Sequence, residues 1–173
     1  MSWSRVGFSS VLLLFFFIVQ EAAISKINFP IAGFSLYLCI VLGLMALENR
    51  FGAIALGFIA GIIMDLSPSS DSPFGKWALI LTIVGYLFSR NRESIGDFTE
   101  RPLAFVLFVT AGATITLVIF LVVGLIMGEN NGNALNNLQT VFGNGLWTLL
   151  FSSILLPIIV KLHALTLTSR ERI

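Results

Sequence analysis

The chain has 173 residues, of which 57% are hydrophobic and only 11% charged, with a net charge of +1 and a mean hydropathy of +0.96. That balance excludes an ordinary soluble domain and points to an integral membrane protein. No long basic block is present to recruit nucleic acid, so no nucleic-acid partner is expected. The single cysteine, Cys39, lies within an apolar run and has no second cysteine in the chain to pair with.

In chain order the apolar runs predict six spans at about 6–24, 27–47, 51–66, 74–89, 102–127 and 141–162, read against roughly 20 apolar residues per crossing. The expected architecture is an all-α polytopic membrane protein forming one membrane domain over residues 1–173. The first run follows Arg5 and has the outline of a signal peptide. Its end, QEAAIS, lacks a clean small-x-small cleavage site, so it is read as a retained first helix. The third and fourth spans are short, and the fifth is long enough to need tilt or bending.

The basic residues set the expected orientation. With the N-terminus inside, Arg5, Arg50, Arg90, Arg92, Arg101, Lys161, Arg170 and Arg172 fall on the inner side, and only Lys26 and Lys76 on the outer. The positive-inside rule then puts both termini in the cytoplasm.

The third span delivers a carboxylate. Asp65 comes fifteen residues after Arg50, about 22 Å along a helix axis, which places it near the outer boundary rather than at the midplane. Ala53, Gly57, Gly61 and Asp65 recur every four residues and share one helix face. The Gly57-x-x-x-Gly61 pair is the small-residue pattern that allows two helix backbones to approach in lipid, either inside the monomer or against another protein. Beyond Asp65, a turn rich in serine and proline leads to Gly75, Lys76 and Trp77. An ion pair from Asp65 to Lys76, with Trp77 at the interface, is the structural expectation for the carboxylate. Glu21, at the outer end of the first span beside Gln20, is a second candidate for pairing with Lys26 or Lys76, the alternative being solvation.

The order GFIAGIIMDL, a short polar turn, then PFGKWALILTIVGYL resembles the central signature of the rod shape-determining MreD family, bacterial inner-membrane proteins. The positions that carry the resemblance are Gly57, Gly61, Asp65, Leu66, Gly75, Gly85, Tyr86 and Leu87, and the motif covers roughly residues 52–88. The resemblance implies a fold similar to that of the substrate-binding subunits of energy-coupling-factor vitamin transporters. It also implies a non-enzymatic role in cell-wall elongation, binding the bitopic protein MreC. Through it the protein would act indirectly on the MreB filament, RodA and a penicillin-binding transpeptidase. A vitamin-transporter subunit is the alternative reading, which needs an outward cavity with several polar contacts. No cofactor or metal is expected. The residues assigned to helix packing or partner binding are Ala53, Gly57, Gly61, Asp65, Gly75, Lys76, Gly85 and Tyr86.

The remaining polar residues have plainer expectations. One histidine, His163, is read as an interfacial side chain, and no nucleophile has a base at recognisable spacing. Thr110, Thr114 and Thr116 are expected to bond preceding carbonyls of their own helix. Pro157 removes a helical hydrogen bond to Ser153, and Ser152 and Ser153 are candidates to satisfy the freed group. Leu135, Leu138 and Phe142, spaced for one helix face, suggest a short interfacial helix or a contact for an extracytoplasmic partner. The charged loop RNRESIGDFTER is expected to be solvated and topology-setting, and is the place to look for contact with a cytoplasmic filament.

Overall fold

The structure, a computed structural model, describes residues 3–22, 34–67, 72–95, 101–129 and 133–166. These form six helices and no strand: α1 (Trp3–Ala22), α2 (Leu36–Leu47), α3 (Arg50–Asp65), α4 (Lys76–Ile95), α5 (Pro102–Ile126) and α6 (Ala134–Thr166). Both α5 and α6 are long and apolar enough to cross a membrane.

α2 is the axis of the bundle. It is apolar on every side, the pattern of a helix with no solvated face, and each residue from Tyr37 to Leu47 is buried. Its neighbours touch it all round. The Tyr37 hydroxyl donates to the Ala60 carbonyl of α3 at 3.1 Å, and the Tyr37 ring meets Phe17 of α1 edge-on at 5.4 Å. At Gly43, an added Cβ would lie 2.7 Å from Ile159 of α6 and 3.4 Å from Phe105 of α5, so the glycine is a notch that those side chains fill.

Paired residues give the direction of each helix. Phe17 with Tyr37 and Gln20 with Leu36 run α1 and α2 antiparallel. Gly57 opposite Leu81 and Gly85 opposite Ala53 do the same for α3 and α4. Phe88 against Phe108 and Trp77 against Phe120 set α4 and α5 antiparallel. α2 and α6 are parallel: Phe34 stacks on Phe151, Gly43 receives Ile159 and Glu48 faces His163, with a nearly constant offset between partners. Successive helices therefore alternate in direction.

Three element bounds differ from the sequence reading. α2 begins at Leu36, and residues 27–33 lie outside those described. α4 continues to Ile95 through polar residues the hydropathy pattern assigned to a loop. α6 begins at Ala134, so the expected separate interfacial helix is the first turns of α6 itself. Asn133 starts it, its side-chain oxygen accepting from the Leu135 amide at 3.2 Å and its carbonyl from Asn137. Hydropathy is blind to this continuation because a helix can be carried by caps and propensity through residues that are not apolar.

Gln20, read as a candidate for solvation, does specific work. Its side-chain oxygen accepts from the Leu36 amide at 2.8 Å and Tyr37 at 3.4 Å, while Ser35 accepts from Leu38 at 3.2 Å. The start of the central helix is thus capped by its own N-cap serine and by α1. Gln20→Ala and Ser35→Ala should each lower stability by about 1 kcal/mol. In detergent, thermal unfolding should show the double variant losing more than either single one.

Candidate functional site

The residues singled out by the sequence converge on the α3–α4 hairpin. α3 starts on Asn49, whose side-chain oxygen accepts from the Gly52 amide at 2.9 Å, and presents Ala53, Gly57, Gly61 and Asp65, all buried. α4 answers with Ala78, Leu81 and Gly85, also buried. A Cβ on Gly57 would strike the Leu81 carbonyl, one on Gly61 the backbone of Ala78, and one on Gly85 would stand 2.5 Å from the Ala53 carbonyl oxygen. These obstacles are main-chain atoms, which cannot turn aside as a side-chain end can. The two backbones are in direct contact along three turns, the close approach that small residues permit in lipid.

At the C-terminal end of α3 Asp65 closes the hairpin. Its Oδ1 accepts from the Trp77 amide at 3.0 Å and its Oδ2 from the Ala78 amide at 2.9 Å. The amides on either side are no less provided for: Lys76 donates to the Pro73 carbonyl at 3.2 Å and Leu79 to the Gly75 carbonyl at 2.9 Å. Every orphan donor of the first turn of α4 thus has an acceptor. The carboxylate also sits where the helix dipole is positive. Gly75, with φ of +94°, supplies the left-handed backbone that turns the chain into α4.

The expected Asp65–Lys76 ion pair does not form. Both carboxylate oxygens are engaged by amides, and the lysine side chain runs the other way, to Glu129 after α5, with its Nζ 3.7 Å from the centre of the Phe120 ring. Trp77 stacks on the same ring at 4.4 Å. The Lys76 side chain is fully buried by these contacts. Glu129 is positioned by the end of α5, where Gly128 at φ +78° lets its own amide reach Leu125 and the Glu129 amide reach Gly124 at 2.9 Å. Glu129 falls between the fifth and sixth spans predicted from the sequence, where no role was assigned to it. The signal that marks it is the Gly-Glu pair directly after an apolar span, at the end of the bundle where Lys76 needs an anion. Lys76 thus has its anion in Glu129, and Lys26, the other lysine considered for Glu21, lies outside the described residues.

Tyr86 belongs to neither cluster. It is 39% exposed, at the opposite end of the hairpin, and carries the Arg50 guanidinium 5.3 Å from its ring centre. The predicted set is therefore distributed: Ala53, Gly57, Gly61, Gly85 and Asp65 on the seam, Gly75 in the turn, Lys76 directed to α5, and Tyr86 outward.

A second polar contact escaped the sequence reading. Glu48, at the corner between α2 and α3, is 2% exposed, and its Oε1 lies 3.4 Å from Nε2 of His163. His163 is thus packed beside a buried carboxylate. Thr114 and Thr116 bond the carbonyls of Thr110 and Gly112 at 3.1 and 2.7 Å, as expected. Ser152 and Ser153 both donate to Leu149, at 3.3 and 3.1 Å, and not to the carbonyl that Pro157 leaves open. Among the described residues no three His, Cys, Asp or Glu side chains converge as a metal site.

Replacing Asp65 by alanine strands two amides at the start of α4 and should cost about 2 kcal/mol, whereas asparagine retains one acceptor and should cost less. Membrane accumulation and detergent melting temperature should rank wild type above Asp65→Asn above Asp65→Ala. Exchanging the charges in Lys76→Glu with Glu129→Lys should restore part of the stability that each single change removes.

No curated protein and no solved structure matches the chain. A family model, described as rod shape-determining protein MreD, matches residues 4–165. The match spans α1 to α6 and includes the hairpin whose seam and cap are described above, so the chain belongs to the MreD family of rod shape-determining proteins.

Proposed function

We propose that this protein is a non-enzymatic membrane scaffold of the bacterial cell-wall elongation complex, acting in cell shape and peptidoglycan synthesis through an MreC-like bitopic membrane protein. The observation that carries the reading is the family match across residues 4–165, a family of shape-determination proteins rather than enzymes. MreB, RodA and the penicillin-binding transpeptidase are indirect partners in this proposal, and lipid surrounds the bundle. The topology proposed is a single domain of six spans in the inner membrane with both termini cytoplasmic, similar in fold to energy-coupling-factor substrate-binding subunits. Supporting it are the alternating helix directions, the apolar exposed faces of α5 and α6, and the basic residues gathered at one end.

Within this reading the two classes of site residue have different tasks. The seam of Ala53, Gly57, Gly61, Gly85 and Asp65 holds α3 and α4 as one rigid unit, so that a partner meets a fixed surface. Rigid presentation lowers the ordering cost of binding. Tyr86, exposed and stacked under Arg50, is the member of the set available to a partner.

Depletion should convert rod-like growth into rounded growth or disturb localised wall synthesis; unchanged shape and unchanged insertion of wall material would refute the proposal. Co-purification should recover an MreC-like protein, whereas recovery of an energy-coupling transmembrane subunit with ATPases would favour the transporter. Tyr86→Ala should accumulate normally yet recover less of that partner. Gly57→Leu should reduce accumulation itself, because the added side chain would run into the α4 backbone at Leu81 and crowd Met45 of α2.

A further inference from the structure

The α3–α4 hairpin has a second, exposed face beside its glycine seam. Along α3, Arg50, Ile54, Phe58 and Ile62 recur every four residues, and none of the four is buried. Along α4, Leu79, Ile83, Tyr86 and Arg90 follow at spacings of four, three and four, and all are exposed. The two rows run antiparallel and meet where Arg50 lies over the Tyr86 ring. Between them is an apolar groove of about 580 Å³, with Phe58 and Ile62 on one wall, Leu79 and Ile83 on the other, and Ala78 and Thr82 also lining it. The Thr82 hydroxyl donates to the Ala78 carbonyl, so it offers the groove no free donor.

One end of this face is cationic. Arg50 and Arg90 are both exposed, Arg90 one turn beyond Tyr86, and among the described residues neither guanidinium is paired with a carboxylate. Stacking on Tyr86 positions Arg50 without neutralising it. Arg50 to Ile62 is twelve residues, about 18 Å of helix, against about 15 Å of hydrocarbon in one leaflet. The face is therefore apolar over the depth of a leaflet and charged where a headgroup would lie.

We propose that this face binds one anionic phospholipid, its phosphate held by Arg50 and Arg90 and an acyl chain lying in the groove between Phe58 and Ile83. A zwitterionic lipid brings the two arginines no net charge, and a free phosphate leaves the apolar walls uncovered. An anionic lipid supplies both complements in one molecule. In the topology proposed above the arginines face the cytoplasmic leaflet. The inference rests on that placement and is independent of the assembly role, which partner recovery reads separately.

Native mass spectrometry of the full chain in detergent tests it, with dioleoyl phosphatidylglycerol as the probe. The protein should retain this lipid in preference to dioleoyl phosphatidylcholine, and inorganic phosphate at equal concentration should not displace it. Arg50→Gln and Arg90→Gln should each lower retention about fivefold, whereas Arg101→Gln, at an exposed arginine that begins α5 and lines neither wall, should leave it unchanged. A benzophenone amino acid placed at Ile83 and irradiated in bacterial membranes should give a lipid adduct. Equal retention of the two lipids, displacement by inorganic phosphate, or an equal loss in Arg101→Gln would overturn the proposal. So would crosslinking from Ile83 to a second copy of the chain or to another protein in place of lipid.

Discussion

A helix whose first turn is packed against its neighbours exposes amide donors where water is scarce, and those donors must be met by protein. Asp65 answers that constraint for α4. By accepting from Trp77 and Ala78 it satisfies a helix other than its own, and this fixes how far α3 must run before the chain turns. The remaining geometry follows from holding that distance short. With the α4 N-terminus bound to the α3 C-terminus, the two helices lie backbone to backbone, and positions 57, 61 and 85 have no space for a side chain. The charge of Asp65 is therefore best understood as a fastening rather than a reacting group.

The same hairpin governs how α5 joins the bundle. Because Asp65 is occupied by amides, Lys76 is left to find its anion elsewhere, and Glu129 supplies it across the Phe120 and Trp77 rings. At the other end, the α2–α3 corner places Glu48 against His163. Two polar contacts at opposite ends thus tie the hairpin side of the molecule to α5 and α6, while the middle is packed by apolar side chains around α2. An arrangement of this kind suits a protein whose work is to present surfaces. It concentrates specificity at the ends and leaves the lateral faces apolar, as with Leu107, Val118 and Ile154.

Much of the fold was legible because hydropathy and glycine spacing report directly on burial and close approach. The run from Gly57 to Asp65 displayed its packing face in the order of its residues, and the apolar runs announced the helices seen among the described residues. What was hidden depends on which long side chain reaches which group. Lys76 lies eleven residues from Asp65 and far along the chain from Glu129, so proximity in sequence favoured the wrong partner; only the antiparallel placing of α4 and α5 brings Glu129 near. Glu48 and His163 are invisible for a related reason, since their meeting requires α2 and α6 to run parallel. Gln20 looked like a solvated end because a glutamine at an interface is usually that, and its capping role depends on where α2 begins.

The account stands on the Asp65 cap, and amide hydrogen exchange of the protein in lipid nanodiscs measures it most directly. The Trp77 and Ala78 amides, which a helix of its own would leave without acceptors, should exchange as slowly as amides inside α4. In Asp65→Ala they should become fast while the Val84 and Phe88 amides stay protected. Rapid exchange of Trp77 and Ala78 in the unaltered protein, or equal protection in the alanine variant, would contradict it.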